Sequence, residues 1–393
     1  MRPLVGAMGL QGTPEAQAAM EVLKKYGADA HVYIPGVGNP WGVTTGNYQL
    51  STGTDAVTGQ PVGRVDDSLG GITASQTTSG FRPTLKRVPI LGPELVTNGG
   101  FDSGTGWTPG TGWAISGGVA TATASSAILS SNDSYTKYNT GSSYLVTASV
   151  SGVSGGSLLM YLRGALFYNQ TATNGYISTV VSAGSSTASS LNITASALTA
   201  SIDNISVKEV LGYKDVWYWQ FDGTDDRLSL GSVPFQMSDD HAVVVGARCD
   251  SFSAQGTIFS VSNTSATNPI ISIDTLTSGT KLIRAFWRDD AATQSAVSKT
   301  SGNTEGNPFV AAARKTTNAK ELRVSGVSTG VDSTALSTST LNTSTVGVMV
   351  RTSVQYPFPG PIYAVIAIKG TVSDADLKTL EKWVGQLSNV SIL

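Results

Sequence analysis

Cysteine is nearly absent: Cys249 stands alone among 393 residues, so no intrachain disulfide can form. Histidine is almost as scarce. With only His31 and His241, a multi-histidine metal centre is excluded. Charge is thin, at 13% of residues against a usual quarter, and it balances at −2. Without a basic excess, nucleic-acid binding is disfavoured. No run of 18 apolar residues occurs, so no transmembrane helix is expected. Met1-Arg2-Pro3 does not lead into a hydrophobic secretory core, and Sec export is not expected either. Ser and Thr fill the space, at roughly a quarter of the chain, beside 44 glycines. That mixture favours many short strands joined by turns. The length suggests two or three domains.

Residues 1–30 differ from the rest. Thr13 reads as a helix N-cap, Pro14 as the first helical position and Gly27 as the stop. Ala16, Ala19, Met20 and Leu23 recur at helical spacing between them, after an apolar arm from Leu4 to Leu10. Residues 91–210 form a second block with about eight charged residues. Its strand signals are 114–124, 144–150, 157–162, 176–181 and 201–207, spaced as in a β-sandwich. A third block, 211–393, holds eight more strand candidates, including 216–221, 242–249, 282–287 and 362–368. It ends in a helix capped by Ser373, with Leu377, Leu380, Val384 and Leu387 on one face. That helix is expected to cover an edge or end of the last sandwich. The fold class is therefore mainly β, with an N-terminal and a C-terminal helix.

Two stretches resemble known families. Glu94-Leu95-Val96-Thr97-Asn98-Gly99-Gly100-Phe101, then Gly106-Trp107, and finally Asp203-Asn204-Ile205-Ser206-Val207 resemble the opening and closing strands of carbohydrate-binding-module-like jelly rolls. Phe221-Asp222-Gly223-Thr224-Asp225-Asp226-Arg227-Leu228 is similar to a strand of concanavalin-A-like (laminin-G-like) lectin sandwiches, and Gly360–Tyr363 with Ser373–Asp376 resembles their last strand and closing helix. The segments Gly59–Gly63 and Arg82–Leu85, which accompany that strand in such chains, here precede the jelly roll. The resemblance thus implies a jelly roll at 92–211 inserted into a laminin-G-like sandwich made of 40–91 and 212–393. The polar joins at 86–88 and 212–215 suit such an insertion. This tandem resembles tailed-bacteriophage virion proteins. It implies a viral structural protein, and residues 1–39 are expected to anchor it to the virion.

The resemblance also implies a structural Ca²⁺ in the jelly roll, with Glu94 and Asp203 as acidic ligands and carbonyls near Asn98 completing the oxygen set. The other reading has Asp203 capping a turn and Glu94 solvated. Sugars stack on exposed aromatic rings and are oriented by a few polar groups. Trp107 is expected in the core. Trp113, Tyr135 and Tyr138, in or near loops beside Asn132-Asp133-Ser134, are the candidate carbohydrate platforms, against the reading that each ring packs inside. Trp287-Arg288-Asp289-Asp290 either lines a groove or is an ordinary strand exit. No Gly-x-Ser-x-Gly elbow is present. Asp225 and Asp226 are adjacent, so on a strand they face opposite ways, and a turn whose carboxylates cap N–H groups is the simpler account. His241 is expected at a strand edge, His31 in a linker, and Cys249 buried as a small hydrophobe.

These features point to a non-enzymatic virion surface protein, a tail-fibre or spike component that binds host-surface glycans weakly and gains from many copies. Alternatives are a capsid decoration or head-fibre protein and, third, a polysaccharide depolymerase with binding modules. Assembly in the host cytoplasm, homo-oligomerisation through residues 1–39 and partnership with other virion proteins are the matching expectations, without nucleic-acid binding or membrane insertion. No heptad run or short repeat provides a fibre shaft.

Overall fold

The computed structural model describes residues 13–35, 47–48, 56–69, 71–252, 254–317 and 319–392. The apolar arm at 4–10 lies outside the described residues. The chain divides into two compact units: a larger one from Met1–Val88 and Asp215–Leu393, and a smaller one from Pro89–Lys214. The chain passes between them within the strands Thr84–Glu94 and Leu191–Asp222.

The smaller unit is built on two long strands, Ser143–Leu162 and the first part of Leu191–Asp222, paired antiparallel. Sequence punctuation suggests separate strands at 144–150 and 157–162. The chain instead stays extended through Gly152–Gly156, and the pairing register shifts between Ser151 and Gly155 and again between Gly155 and Ser157. Such bulges bend a strand sharply. Both partners therefore turn a corner and contribute to two layers. One layer pairs residues 143–150 with Gly175–Ser182 and with residues 201–209. The other pairs residues 157–162 with Ala165–Thr171 and with residues 191–196. Between them lies one core that includes Tyr144, Val146, Met160, Ile193, Ile202 and, as expected, Trp107. The stretch 114–124 is likewise a hairpin, Trp113–Ser116 and Val119–Ser125, because Gly117 and Gly118 both take positive φ, the geometry of a two-residue turn.

The larger unit has three layers. In one sheet Pro359–Lys369 is flanked on one side by Trp219–Asp222 and Ala30–Tyr33, and on the other by His241–Arg248, Pro308–Thr316, Ala319–Val324 and Val327–Asp332 in succession. A second sheet has nine strands, ordered from Gln294–Lys299 through Lys281–Arg288, Ile270–Thr277, Gly256–Ser262 and Thr343–Val346 to Leu228–Leu230 and three two-residue strands. The core between the sheets is filled by Trp219, Phe221, Val245, Phe259, Ile273 and Trp287, among others. On its other face the first sheet presents Ala242, Val244, Val310, Ala312, Ile366 and Ile368 to the two helices. With both faces covered, its central strands read as continuous apolar runs without alternation.

The N-terminal helix, Pro14–Tyr26, is capped by Thr13 and ends at Gly27, as read from sequence. It is not a free arm. Ala16, Ala19, Val22 and Leu23 are buried on the first sheet, Thr13 bonds Gln386, and Lys25 pairs with Asp376 at 2.5 Å. Residues 14–33 are part of the larger unit, which corrects the expectation of a separate segment at 1–39. The C-terminal helix, Asp374–Ser388, lies beside it on the sheet face, where an edge or end had been expected, because its apolar stripe meets the exposed side of strands already paired on both edges.

The corner of the smaller unit can be tested. Gly156 has φ +90°, and a Cβ there would lie 2.4 Å from the Ala197 carbonyl oxygen, whereas a Cβ at Gly155 would meet nothing within 4 Å. Gly156→Ala is expected to destabilise the smaller unit by about 2 kcal/mol or more, and Gly155→Ala by under about 1 kcal/mol, in thermal denaturation followed by near-UV circular dichroism.

Candidate functional site

The candidate sugar platforms of the smaller unit do not form a surface. Trp113 is 7% exposed and packs in the core with its indole N–H donated to the Ala127 carbonyl at 3.1 Å. Tyr138 is fully buried, edge-on to Tyr144 with centroids 5.5 Å apart. Burial, reinforced by Asp133 and Glu94, pushes its phenol above the ordinary range. Neither ring has a face to offer a sugar, which corrects that reading for both. Only Tyr135 remains half-exposed, in a short 3₁₀ turn with the Arg163 guanidinium 5.3 Å from its ring centroid. The misreading has a local cause. The polar residues around these rings cap turns, Ser134 accepting from the Thr136 N–H and Asp133 from the Thr97 N–H, and the rings point the other way.

Nor do Glu94 and Asp203 make a calcium site. Glu94 Oε1 accepts the N–H groups of Leu95, Val96 and Val207, and Oε2 accepts the Ser206 hydroxyl. Four donors thus aim positive partial charge at the carboxylate, where a cation would need acceptors. Asp203 accepts from its neighbour Asn204, through the backbone N–H and the side-chain amide. The Asn98 carbonyl receives the Trp107 indole N–H. These residues close the turn where the first and last strands of the unit meet; they do not fit the implied ion.

In the larger unit, Asp222, Asp225 and Asp226 place carboxylate oxygens within 4.8 Å of one another. Two of the three act as turn caps. Asp222 Oδ1 accepts the N–H groups of Thr224 and Asp225, and Asp226 Oδ2 accepts that of Asp222. Desolvation, and then the charge of Asp222, push the Asp226 carboxyl up to about 7. His31 is in a strand, not a linker, with Nδ1 2.8 Å from buried Asp67. His241 is in an interior strand and wholly buried. It stacks on Phe235 and accepts the Trp287 indole N–H at Nε2, and burial lowers it to about 3. Cys249 is buried, and burial pushes its thiol up to about 12.

A different group of residues converges on the outer face of the nine-stranded sheet. In Lys281–Arg288, Ile283, Ala285 and Trp287 enter the core, so Arg284, Phe286 and Arg288 project from the opposite face. The Arg284 and Arg288 guanidinium carbons lie 4.6 and 5.9 Å from the Phe286 centroid. Arg284 is held by buried Asp274 at 2.8 Å, which also accepts the hydroxyls of Thr257 and Ser272. Its Nε is buried without a hydrogen-bond partner. Arg288 donates from Nε to the Asn268 carbonyl and from Nη2 to that of Thr267. Arg351 donates from Nη1 to the same Thr267 oxygen at 2.6 Å.

Arg351 reaches this point on a small hairpin, Met349–Val350 with Val354–Gln355. Buried hydroxyls on the sheet seat it: Ser260 and Thr345 bond the Val348 carbonyl, and Ser262 bonds that of Val350. Gln355 holds the Arg351 guanidinium through its amide oxygen. Tyr356, 37% exposed, follows directly. Burial first, then the charges of Arg351 and Arg284, lower the Arg288 pKa, with Tyr356 acting the opposite way. Among the described residues no carboxylate pairs with Arg288 or Arg351. From this cluster the sequence reading had singled out only Arg288, as part of a strand exit. The neighbouring Trp287 is core, and buried Asp289 accepts the N–H groups of Thr293 and Ser337. The alternation Arg284-Ala285-Phe286-Trp287-Arg288 carried the signal for the strand residues. Nothing local signalled Arg351 and Tyr356.

Among solved structures, the chain is similar to the CBM40 of the Ruminococcus gnavus IT-sialidase (16% identity, 36% of this chain and 81% of that one, TM-score 0.32). It is similar to domain 4 of AbnA, a GH43 extracellular arabinanase from Geobacillus stearothermophilus, in complex with arabinotriose (13%, 41% and 74%, TM-score 0.34). A third is the NanB sialidase from Streptococcus pneumoniae (14%, 44% and 27%, TM-score 0.33). Likeness at this level carries no functional argument. No protein-family model matches the chain, and no curated protein does.

The carboxylate turn gives a pH test. The folded state holds the Asp226 proton to about pH 7, whereas an unfolded aspartate releases it near its ordinary 3.8. Stability from this group is therefore full below about 3.8 and is lost as pH rises through 7. Asp226→Asn is expected to melt higher than the parent at pH 8, by on the order of 1–3 kcal/mol, with the gap shrinking toward pH 4. Equal melting at both values counts against the assignment.

Proposed function

We propose that the protein is a non-enzymatic glycan-binding protein and that its binding face is the arginine–aromatic surface of the larger unit. The observation that carries this is the grouping of half-buried Phe286, exposed Tyr356 and the forked donors of Arg284, Arg288 and Arg351 on one sheet face. Aromatic rings take the apolar faces of sugars, and planar guanidiniums supply paired donors in fixed directions. Binding, not catalysis, is the reading because, among the described residues, the carboxylate built into this face, Asp274, is buried and bonded to Arg284, so it is not poised as a general acid or base. The setting we propose is the outer surface of a tailed-phage virion, in several copies and alongside other virion proteins. That part rests on the tandem motifs of the sequence.

A glycan array probed with the full chain tests the binding face. Phe286→Ala and Tyr356→Ala are each expected to weaken binding at least tenfold with unchanged melting temperature, and Tyr135→Ala to leave it within twofold. If Tyr135→Ala abolishes binding while Phe286→Ala does not, the site belongs to the smaller unit.

A further inference from the structure

We infer that the glycan this face takes is anionic, a sugar bearing a carboxylate that is gripped between Arg288 and Arg351; this rests on the glycan-binding reading above. The geometry is unusual for a surface without a ligand role. Two guanidiniums donate to a single carbonyl oxygen, that of Thr267, so their charges are neighbours. Like charges this close oppose each other; burial first, and then the Arg351 charge, lower the Arg288 pKa. Arg284 adds a third cation whose charge is met by Asp274, but Arg288 and Arg351 have no carboxylate partner among the described residues.

Other interactions hold them there. Asn268 fixes Arg288, Gln355 fixes Arg351, and both of those partners are neutral acceptors. A guanidinium has five N–H donors. The bonds named leave three on Arg288 and two on Arg351. Orientation is thus supplied by neutral groups while the positive charge stays uncompensated. A planar carboxylate accepts such paired N–H groups in the fork geometry that makes these bonds strong. Phe286, with the Arg284 and Arg288 guanidiniums over its ring, is the apolar group next to this pair. The chain as a whole is slightly acidic at −2, so this cationic spot does not follow from overall composition. A polyanion such as nucleic acid would call for an extended basic stripe, and the spot is local.

The test uses the full chain on an array carrying uronate- and sialate-containing glycans, the methyl ester of each, neutral counterparts and sulfated glycans. Free carboxylates should be bound at least tenfold more tightly than their esters at 50 mM NaCl, with weaker binding at 500 mM. Arg351→Gln and Arg288→Lys, checked for parental melting temperature, should each remove most of that preference. If acids and esters bind alike through Phe286, the anionic inference fails and the glycan-binding reading stands. Preference for sulfated glycans overturns the carboxylate assignment. If no glycan is bound in a Phe286-dependent way, the underlying reading fails.

Discussion

The larger unit depends on a sheet that must be covered on both faces. Its central strand, Pro359–Lys369, is buried along nearly all of its length, and so is its neighbour His241–Arg248. Neither can face water on either side without exposing a row of Val, Ile and Ala. The second sheet covers one face and the two helices cover the other. This accounts for the use of both chain ends. Helix Pro14–Tyr26 and strand Ala30–Tyr33 come from the start of the chain and helix Asp374–Ser388 from its end, and all three pack on the same sheet. At about 25 cal/mol per Å² of apolar surface, a helix with four or more fully buried side chains contributes several kcal/mol. Residues 14–33 are therefore as much a part of the sandwich as its strands.

The same requirement determines which face of the second sheet is open to other uses. Its inner face belongs to the core. Its outer face carries buried hydroxyls, Ser260, Ser262 and Thr345, which would be costly if left without partners. The carbonyls of Val348, which leads into the hairpin at 349–355, and of Val350 within it accept from all three. A polar patch that would otherwise need water thus becomes a seat, and the seat carries Arg351 to Arg288.

How much of this was legible depended on whether the information was local. Helix caps were: Thr13, Pro14, Gly27 and Ser373 each act where short-range chemistry places them. The mainly β class followed from composition and alternation. The corner in Ser143–Leu162 did not, because Gly152 to Gly156 looks like a turn whether the chain reverses or bends. The depth of a ring was also illegible. Tyr138 and Tyr135 share one polar stretch, yet one is buried and the other half-exposed, since a 3₁₀ turn separates residues three apart in burial as well as in sequence. Glu94 was read either as a calcium ligand or as a solvated carboxylate, and it is neither: it accepts from four donors at the closing turn. Residue type alone does not make that distinction.

The arginine face shows the limit most clearly. Arg284, Phe286 and Arg288 could be assigned to one side of a strand from period-two alternation alone. Arg351 lies 63 positions beyond Arg288, and only the folding-over of a hairpin with two-residue strands, held by hydroxyls that sequence would place as ordinary surface Ser and Thr, brings it near. The pairing of like charges is also invisible in composition, because −2 overall says nothing about where two arginines meet. Within the fold it is maintained by neutral acceptors on two segments, the carbonyls of Thr267 and Asn268 and the amide oxygen of Gln355, and by the donating hydroxyls of the seat beneath the hairpin. Arginines brought together by several independent bonds, and left without a carboxylate partner among the described residues, are organised for a charge that comes from outside the chain.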